Sequence, residues 1–339
     1  MDAFQRPVHP GPPLASRWPA DQVRRPNTEL QAAVLGWYAA VGRELEFRGT
    51  RDPYAILVSE VMAQQTQIAR AEQYWRVWMA RFPTFEILAA ATPADVLRAW
   101  QGLGYDRRAL NLLRCARVVV ASHGGKLPTA IAELERLPGL GPYTARAVAA
   151  LAFGQRVGAV DVNVRRVVGR IVGGPDGAQS MGTARLQAVA DSLVPADEPG
   201  RWTHALMDLG ATLCRIRAPR CEECPARPGC AAAAAWAAGA PAAGAGARAS
   251  SSAARERPAA FTATRRWLRG RILDRLREAH GNGWVAFEGP LGEHDGAAVG
   301  AALRTLAGEG MVELAGAAGA EGSTGPGEEP VLRARLPAR

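Results

Sequence analysis

Apolar residues recur along most of this chain at the three-and-four spacing of one helical face, and polar start and stop signals cut that pattern into segments. Leu30, Val34, Leu35 and Tyr38 form the first such face, and Thr28 with Gln31 makes a capping box at its start. Asp52-Pro53 and Thr92-Pro93 each set a capping side chain before a proline whose fixed φ suits a first helical turn. Gly124-Gly125 and Gly173-Gly174 supply stops. Nowhere between 27 and 236 does the pattern alternate convincingly with period two, so residues 27–236 are expected to be all-α.

The pattern weakens on either side. Residues 1–26 are Pro/Arg-rich and are expected to be disordered; residues 237–258, rich in Ala, Gly and Ser, read as a flexible linker. Helical spacing returns from Phe261 to His280, with Trp267, Leu268, Ile272, Leu273 and Leu276 on one face. A second helix is expected at Ala297–Leu306 and a short strand at Met311–Leu314. Together these predict a small winged-helix-like domain over 259–315, followed by a disordered tail over 316–339.

Composition adds a partner class. The 339 residues carry 41 Lys+Arg against 32 Asp+Glu, a formal charge of +9. Such a balance favours a polyanionic partner, because each neutralised phosphate releases counterions. Lys126 is the sole lysine, so the positive charge is nearly all guanidinium, which clamps phosphate with a planar fork and stacks on bases. The first 25 residues hold no apolar core of a signal peptide, and no run of about 18 strongly apolar residues suggests a membrane span. A cytoplasmic monomer, nucleoid-associated if bacterial, is expected.

Four of the five cysteines crowd together. Cys214, Cys221, Cys224 and Cys230 are separated by six, two and five residues. Four thiolates so spaced can converge on one metal centre, and both cubane iron–sulfur clusters and all-cysteine zinc sites need four. Zinc ribbons usually present two Cys-x2-Cys knuckles, and only one is present, which favours [4Fe-4S] over zinc or disulfides. Cys115, inside a helical pattern, reads as a small buried hydrophobe. Arg215, Arg217, Arg220 and Arg227 lie among the ligands, where they either solvate the loop or press it against DNA phosphates.

The segment Leu137-Pro-Gly-Leu-Gly-Pro-Tyr-Thr144 joins two helical stretches. Gly139 and Gly141 permit a tight turn with exposed amides at a helix N-terminus, an anion site suited to a DNA phosphate. Further on, Asp161 precedes Val162 and Asn163, and taken alone it reads as a helix N-cap. Glu60 lies in the largely apolar helix begun by Asp52-Pro53, followed by the uncharged polar run Gln64-Gln65-Thr66-Gln67.

These segments, with Gly102-Leu-Gly-Tyr105 and Met207-Asp-Leu-Gly210 leading into the cysteines, give residues 27–236 a resemblance. The chain resembles the helix-hairpin-helix DNA glycosylases that carry an iron–sulfur cluster, and among them the A/G-specific adenine glycosylases of the MutY type. The resemblance implies a two-lobed all-α fold, with a cluster loop at 214–230. It also implies a monofunctional enzyme that flips adenine from mispairs with 8-oxoguanine or guanine in double-stranded DNA and hydrolyses its N-glycosidic bond. Glu60 would be the general acid, kept protonated by the apolar neighbours Val58, Val61 and Met62. Asp161 would stay ionised and stabilise the sugar cation, as paired carboxylates do in glycoside hydrolysis. Asn163 and Tyr143 would support the pocket and the leaving base. Arg48, Gln64, Gln65, Thr66, Leu103 and Tyr105 would contact DNA and the bases, and Gly139 and Gly141 a phosphate.

The chain departs from the family in places. Leu45-Glu46-Phe47-Arg48 stands where Leu-Pro-Trp-Arg is common, Ala63 replaces a leucine, and Asp106 replaces an aromatic. The β-rich C-terminal reader of 8-oxoguanine found in most members is not recognisable after Trp236. Gln64, Thr66, Leu103 and Tyr105 are therefore expected to supply the preference for the opposite base, with the small domain adding salt-sensitive affinity through its arginines. Two other readings stay open: a glycosylase/lyase of the endonuclease III type acting on oxidised pyrimidines, and a non-enzymatic iron–sulfur DNA-binding redox sensor.

Overall fold

The structure is a computed structural model that describes residues 28–241, 260–315 and 331–338. The expected disorder of 1–26, most of the linker and much of the tail lie outside the described residues. The described chain is mostly helical and falls into two compact units. One comprises 28–42 with 156–241; the other comprises 43–155 with 260–315 and 331–338.

In the first unit, α1 (Thr28–Val41), α9 (Val162–Gly173), α11 (Thr183–Leu193) and α12 (Pro199–Thr212) surround an apolar core. That core includes Val34, Val167, Val168, Leu186 and the fully buried Trp202. Gln31, read as half of a capping box, donates its amide to the Leu193 carbonyl at 3.0 Å inside this core. The alanine run after Cys230 is a helix, α13 (Ala231–Ala237), with the Arg170 guanidinium 5.3 Å from the centre of the Trp236 ring.

The second unit is built on α2 (Pro53–Ala63), which is buried along nearly its whole length. Asp52 caps it by accepting from the amides of Tyr54 and Ala55, with Pro53 at the first helical position. Thr92 caps α5 (Pro93–Ala99) in the same way. Around α2 pack α3 (Ile68–Arg81), α4 (Phe85–Ala90), α6 (Arg107–His123) and α8 (Pro142–Phe153). The α6 helix ends at Gly124, whose φ of +60° is the left-handed cap that glycine adopts without strain. Tryptophans anchor the interior: Trp75 Nε1 donates to the Ala55 carbonyl, and Trp78 Nε1 to the Tyr54 hydroxyl.

The C-terminal region belongs to this second unit. Its order is α14 (Arg265–Glu278), β1 (Val285–Phe287), α15 (Gly296–Gly308), β2 (Glu313–Leu314) and β3 (Leu332–Arg335). All pairs are antiparallel and the sheet order is β1-β3-β2, a winged-helix-like arrangement. Two expectations need correction. The central strand β3 falls inside the stretch expected to be a disordered tail. Its apolar positions alternate, with Ala334 and Leu336 fully buried between exposed or half-buried arginines. Nor does this region stand apart as a tethered module: Leu268, Ile272, Leu273 and Leu276 of α14 share one core with Ala94 and Leu97 of α5 and Leu110 of α6. The Ala94 amide donates to the Pro337 carbonyl, and Arg98 to Asn282.

Candidate active site

Glu60 is the eighth residue of α2 and is 9 % exposed, with Val58 and Met62 completely buried beside it. Burying a carboxyl is costly unless it is hydrogen-bonded. Tyr143, at the start of α8, meets that need: its hydroxyl donates to Glu60 Oε2 at 2.8 Å. The next residue, Thr144, accepts from Gln64 Nε2 at 3.2 Å. The hairpin helix is thereby tied to the Glu60 helix twice.

One residue that sequence reasoning passed over organises the end of α2. Arg108 Nη1 donates to the carbonyls of Val61, Met62 and Gln64, and Nη2 to Gly104 O and Thr66 Oγ1. Carbonyls at a helix C-terminus lack intrahelical partners and carry partial negative charge, so a guanidinium is the complementary group. Desolvation pulls its pKa down, without bringing a guanidinium near neutrality. The two loops it joins both hold a non-glycine residue in the left-handed region, Gln65 at φ +54° and Tyr105 at φ +50°. Such conformations cost on the order of 1–3 kcal/mol each and persist where surrounding bonds over-determine them. In sequence Arg108 is one arginine among many, and its partners are mostly backbone atoms more than 40 residues away.

The candidate DNA-contacting residues are not equally available. Gln65 is exposed, Gln64 and Thr66 are half-buried, and Tyr105 is 44 % exposed. Leu103 is 7 % exposed and offers a base almost no surface, which departs from the expectation that it works beside Tyr105. Arg48 is half-buried and donates to the Arg43 carbonyl, while the neighbouring Phe47 is buried edge-on against Trp75. In the hairpin between α7 (Ile131–Leu134) and α8, Leu137 and Leu140 are buried and plug the turn. Gly139 has φ +84°, and a Cβ there would lie 2.7 Å from Asn111 Cβ, so both conformation and space require glycine. Gly141 is exposed ahead of Pro142 and opens the positive end of α8 to solvent.

In the other unit, Asp161 caps α9: Oδ1 accepts from the amides of Asn163 and Val164 at 2.9 and 2.7 Å, and Oδ2 from Asn163 Nδ2 at 3.1 Å. Arg166 continues the chain of contacts. Its Nη2 donates to Asn163 Oδ1 and the Gly210 carbonyl, and its Nε to the Cys214 carbonyl. A Cβ on Gly210 would fall 2.8 Å from Asn163 Cβ, so the Met207–Gly210 motif supplies close approach to the Asp161 helix.

The four clustered cysteines are free thiols that line one cavity with Val167, Arg170 and Leu209. Burial pushes the thiols of Cys221 and Cys230 up, and that of Cys224 up to about 11. A cation that favours thiolate would offset that burial. Arg170 Nη1 donates to Cys214 Sγ at 3.5 Å and to the Arg215 carbonyl at 2.6 Å. Among the described residues no three metal-ligating side chains stand close enough to hold a single metal ion. Of the loop arginines, Arg220 and Arg227 are paired with Glu223 and Glu222, whereas Arg215 and Arg217 are exposed. Cys115 is fully buried and its thiol is pushed up to about 12, as suits a core residue.

Among the described residues no helix is long and apolar enough to cross a membrane. Residues 58–189 match the HhH-GPD superfamily of base excision DNA repair proteins. Over 263 residues the chain is 44 % identical to the adenine DNA glycosylase of Mycobacterium tuberculosis, covering 77 % of this chain and 83 % of that one. It is 40 % identical over 247 residues to the adenine DNA glycosylase of Mycolicibacterium smegmatis, covering 73 % and 80 %. A thermostable thymine-DNA glycosylase superposes with a TM-score of 0.57 at 29 % identity, covering 61 % of this chain and 98 % of that structure.

Proposed function

This chain belongs to the adenine DNA glycosylase family, and we propose that it removes adenine mispaired with 8-oxoguanine or guanine in double-stranded DNA, acting as a monomer. The observation that carries this reading is the buried Glu60 carboxyl held by the Tyr143 hydroxyl at 2.8 Å. Adenine is extruded from the stack, which exposes its ring nitrogens to a protein acid. Glu60 gives its proton to a ring nitrogen of the base, and the N-glycosidic bond breaks with its electron pair going to the protonated leaving group. Asp161 stabilises the oxocarbenium-like sugar until water adds to the anomeric carbon and releases a proton. Tyr143 orients Glu60, and Asn163 orients Asp161 through the Nδ2 contact.

Cys214, Cys221, Cys224 and Cys230 would hold a [4Fe-4S] cluster. All four line one cavity as free thiols, the donor set that such a cluster needs. When bound, the group would tie together the loop that carries the four cysteines, and Arg170 of α9 donates to the sulfur of Cys214. The exposed Gly139 and Gly141, with Gln64, Gln65, Thr66 and Tyr105, supply DNA contacts, with Arg48 supporting its loop.

Strand cleavage through a Schiff base needs an amine. Tyr143, at the start of α8, offers no amine, and Lys126, the sole lysine, lies exposed in the loop after α6. Single-turnover assays on duplexes with adenine opposite 8-oxoguanine, adenine opposite guanine, and thymine glycol test the reading. Free adenine from the first two, no product from the third and no borohydride-trapped complex are expected. Release from thymine glycol alone would assign the chain to oxidised pyrimidines.

A further inference from the structure

We propose that the indole N–H of Trp236 donates a hydrogen bond to a sulfur of the cluster held by Cys214, Cys221, Cys224 and Cys230, and that this bond raises the cluster's reduction potential. The inference rests on the assignment of a [4Fe-4S] group to those cysteines. It goes beyond that assignment by naming a residue that tunes the group without ligating it.

The starting point is a donor without an acceptor. An indole Nε1–H can only donate, and a buried donor is costly to leave unpaired. Nε1 of Trp236 is buried and has no hydrogen-bond partner among the described residues. The indole lines the same cavity as the four thiols. Trp202 also has a buried, unpartnered Nε1, but it belongs to the apolar core and does not line that cavity. Position, and not the orphan N–H alone, therefore singles out Trp236.

Local sequence and packing hold the ring there. In α13 every other side chain is the methyl of alanine, so Trp236 supplies the helix's one polar side-chain atom. The Arg170 guanidinium stands 5.3 Å from the ring centre, within cation–π range, and is itself fixed by the carbonyls of Arg215 and Ile216. Other donors at the cavity are committed. Arg220 and Arg227 pair with Glu223 and Glu222. Arg170 donates to the sulfur of Cys214, the Ala226 amide to that of Cys224, and the amides of Ala232 and Ala233 to that of Cys230. Among the described residues no such donor serves the sulfur of Cys221. That sulfur and the inorganic sulfides of a cluster are the acceptors left for Trp236.

Val167, Ile171, Leu209 and Leu213 make much of the remaining wall apolar. In such surroundings a single N–H···S bond is stronger than it would be in water. It stabilises negative charge on sulfur and so favours the electron-rich member of the redox couple, which makes the resting cluster harder to oxidise.

The test uses the full-length holoenzyme with Trp236→Phe, and with Trp236 replaced by benzothienylalanine, an isostere that carries sulfur in place of the N–H. Iron content is measured first, and the midpoint potential then by voltammetry. One electron passes from the cluster to the electrode, and no bond to iron is made or broken. Both variants should keep about four irons per chain and move the midpoint to more negative values. At a poise that leaves half of the wild-type clusters oxidised, their ratio of oxidised to resting clusters should be about five-fold higher. A midpoint that is unchanged or more positive in the benzothienylalanine variant overturns the proposal, even if Trp236→Phe lowers it, because shape and not the N–H would then be responsible. Wild-type protein without iron would instead fail the cluster assignment, and the proposal with it.

Discussion

The hydroxyl of Tyr143 and the carboxyl of Glu60 meet at 2.8 Å although 83 positions separate them in sequence. Glu60→Gln keeps the shape and removes the acid. Adenine release should drop by roughly 10²–10⁴-fold with DNA affinity retained. Tyr143→Phe should slow release about tenfold, the value of one hydrogen bond to a charged or catalytic group. A Glu60→Gln protein within a few fold of wild type in single turnover would remove Glu60 from the chemistry.

Asp161 both caps α9 and is the candidate stabiliser of the sugar cation, and two substitutions separate those roles. Asparagine caps about as well as aspartate, whereas alanine costs about 1 kcal/mol. Asp161→Asn should therefore melt close to wild type and still lose on the order of 10²-fold or more in rate. Loss of rate only in proportion to loss of folded protein would reduce Asp161 to a cap.

Purified protein should be brown, with a broad absorption at roughly 400 nm and about four irons per chain. Replacing any of Cys214, Cys221, Cys224 or Cys230 by serine should bleach it, while Cys115→Ser should not. Colourless protein with stoichiometric zinc and normal DNA binding would sink the cluster assignment.

Glu309 accepts from Arg269, which holds its carboxyl below the ordinary carboxylate range, with Arg107 adding to the effect and partial burial opposing it. A lowered folded-state value means that its contribution is present above the unfolded carboxylate value, near pH 4.3, and is lost as pH falls through the folded value. Glu309→Gln should be less stable than wild type by about 1 kcal/mol at pH 7. Denaturant titrations should show the difference closing toward pH 3. A gap independent of pH would mean that the loss comes from packing.

A chain ending at residue 250 would uncover Ala94, Leu97 and Leu110 and leave Asp106 without Arg277. Each large apolar side chain returned to water costs about 1.5–3 kcal/mol. The shortened protein should aggregate or melt well below the full chain. A shortened protein that stays monomeric, with an unchanged melting temperature, would show that the C-terminal region is a separable module.

Local chemistry made much of this legible in the sequence. The caps at Asp52 and Thr92, the Gly124 stop and the hairpin turn each depend on a few neighbouring residues, and they stand where the sequence places them. The helical face of Leu268, Ile272, Leu273 and Leu276 was equally plain, but not what it packs against, because Leu97 and Leu110 lie far away in the chain. Arg108 was hidden for the same reason. The strand Leu332–Arg335 did carry a signal, the alternation of Leu332, Ala334 and Leu336 with two arginines, set among low-complexity sequence that drew attention away from it.

That strand also governs when the molecule can close. It is synthesised after β1 and β2, yet it stands between them. A nascent polypeptide that has emerged as far as β2 thus has two strands with no mutual pairing and an α14–α15 core lacking Ala334 and Leu336. Translation that stops between β2 and β3, or a protease cut followed by loss of the last strand, produces an open apolar core rather than a slightly smaller enzyme. Such a product is a target for chaperones and degradation. The order of the sheet makes completed synthesis a condition for a protein that the cell retains.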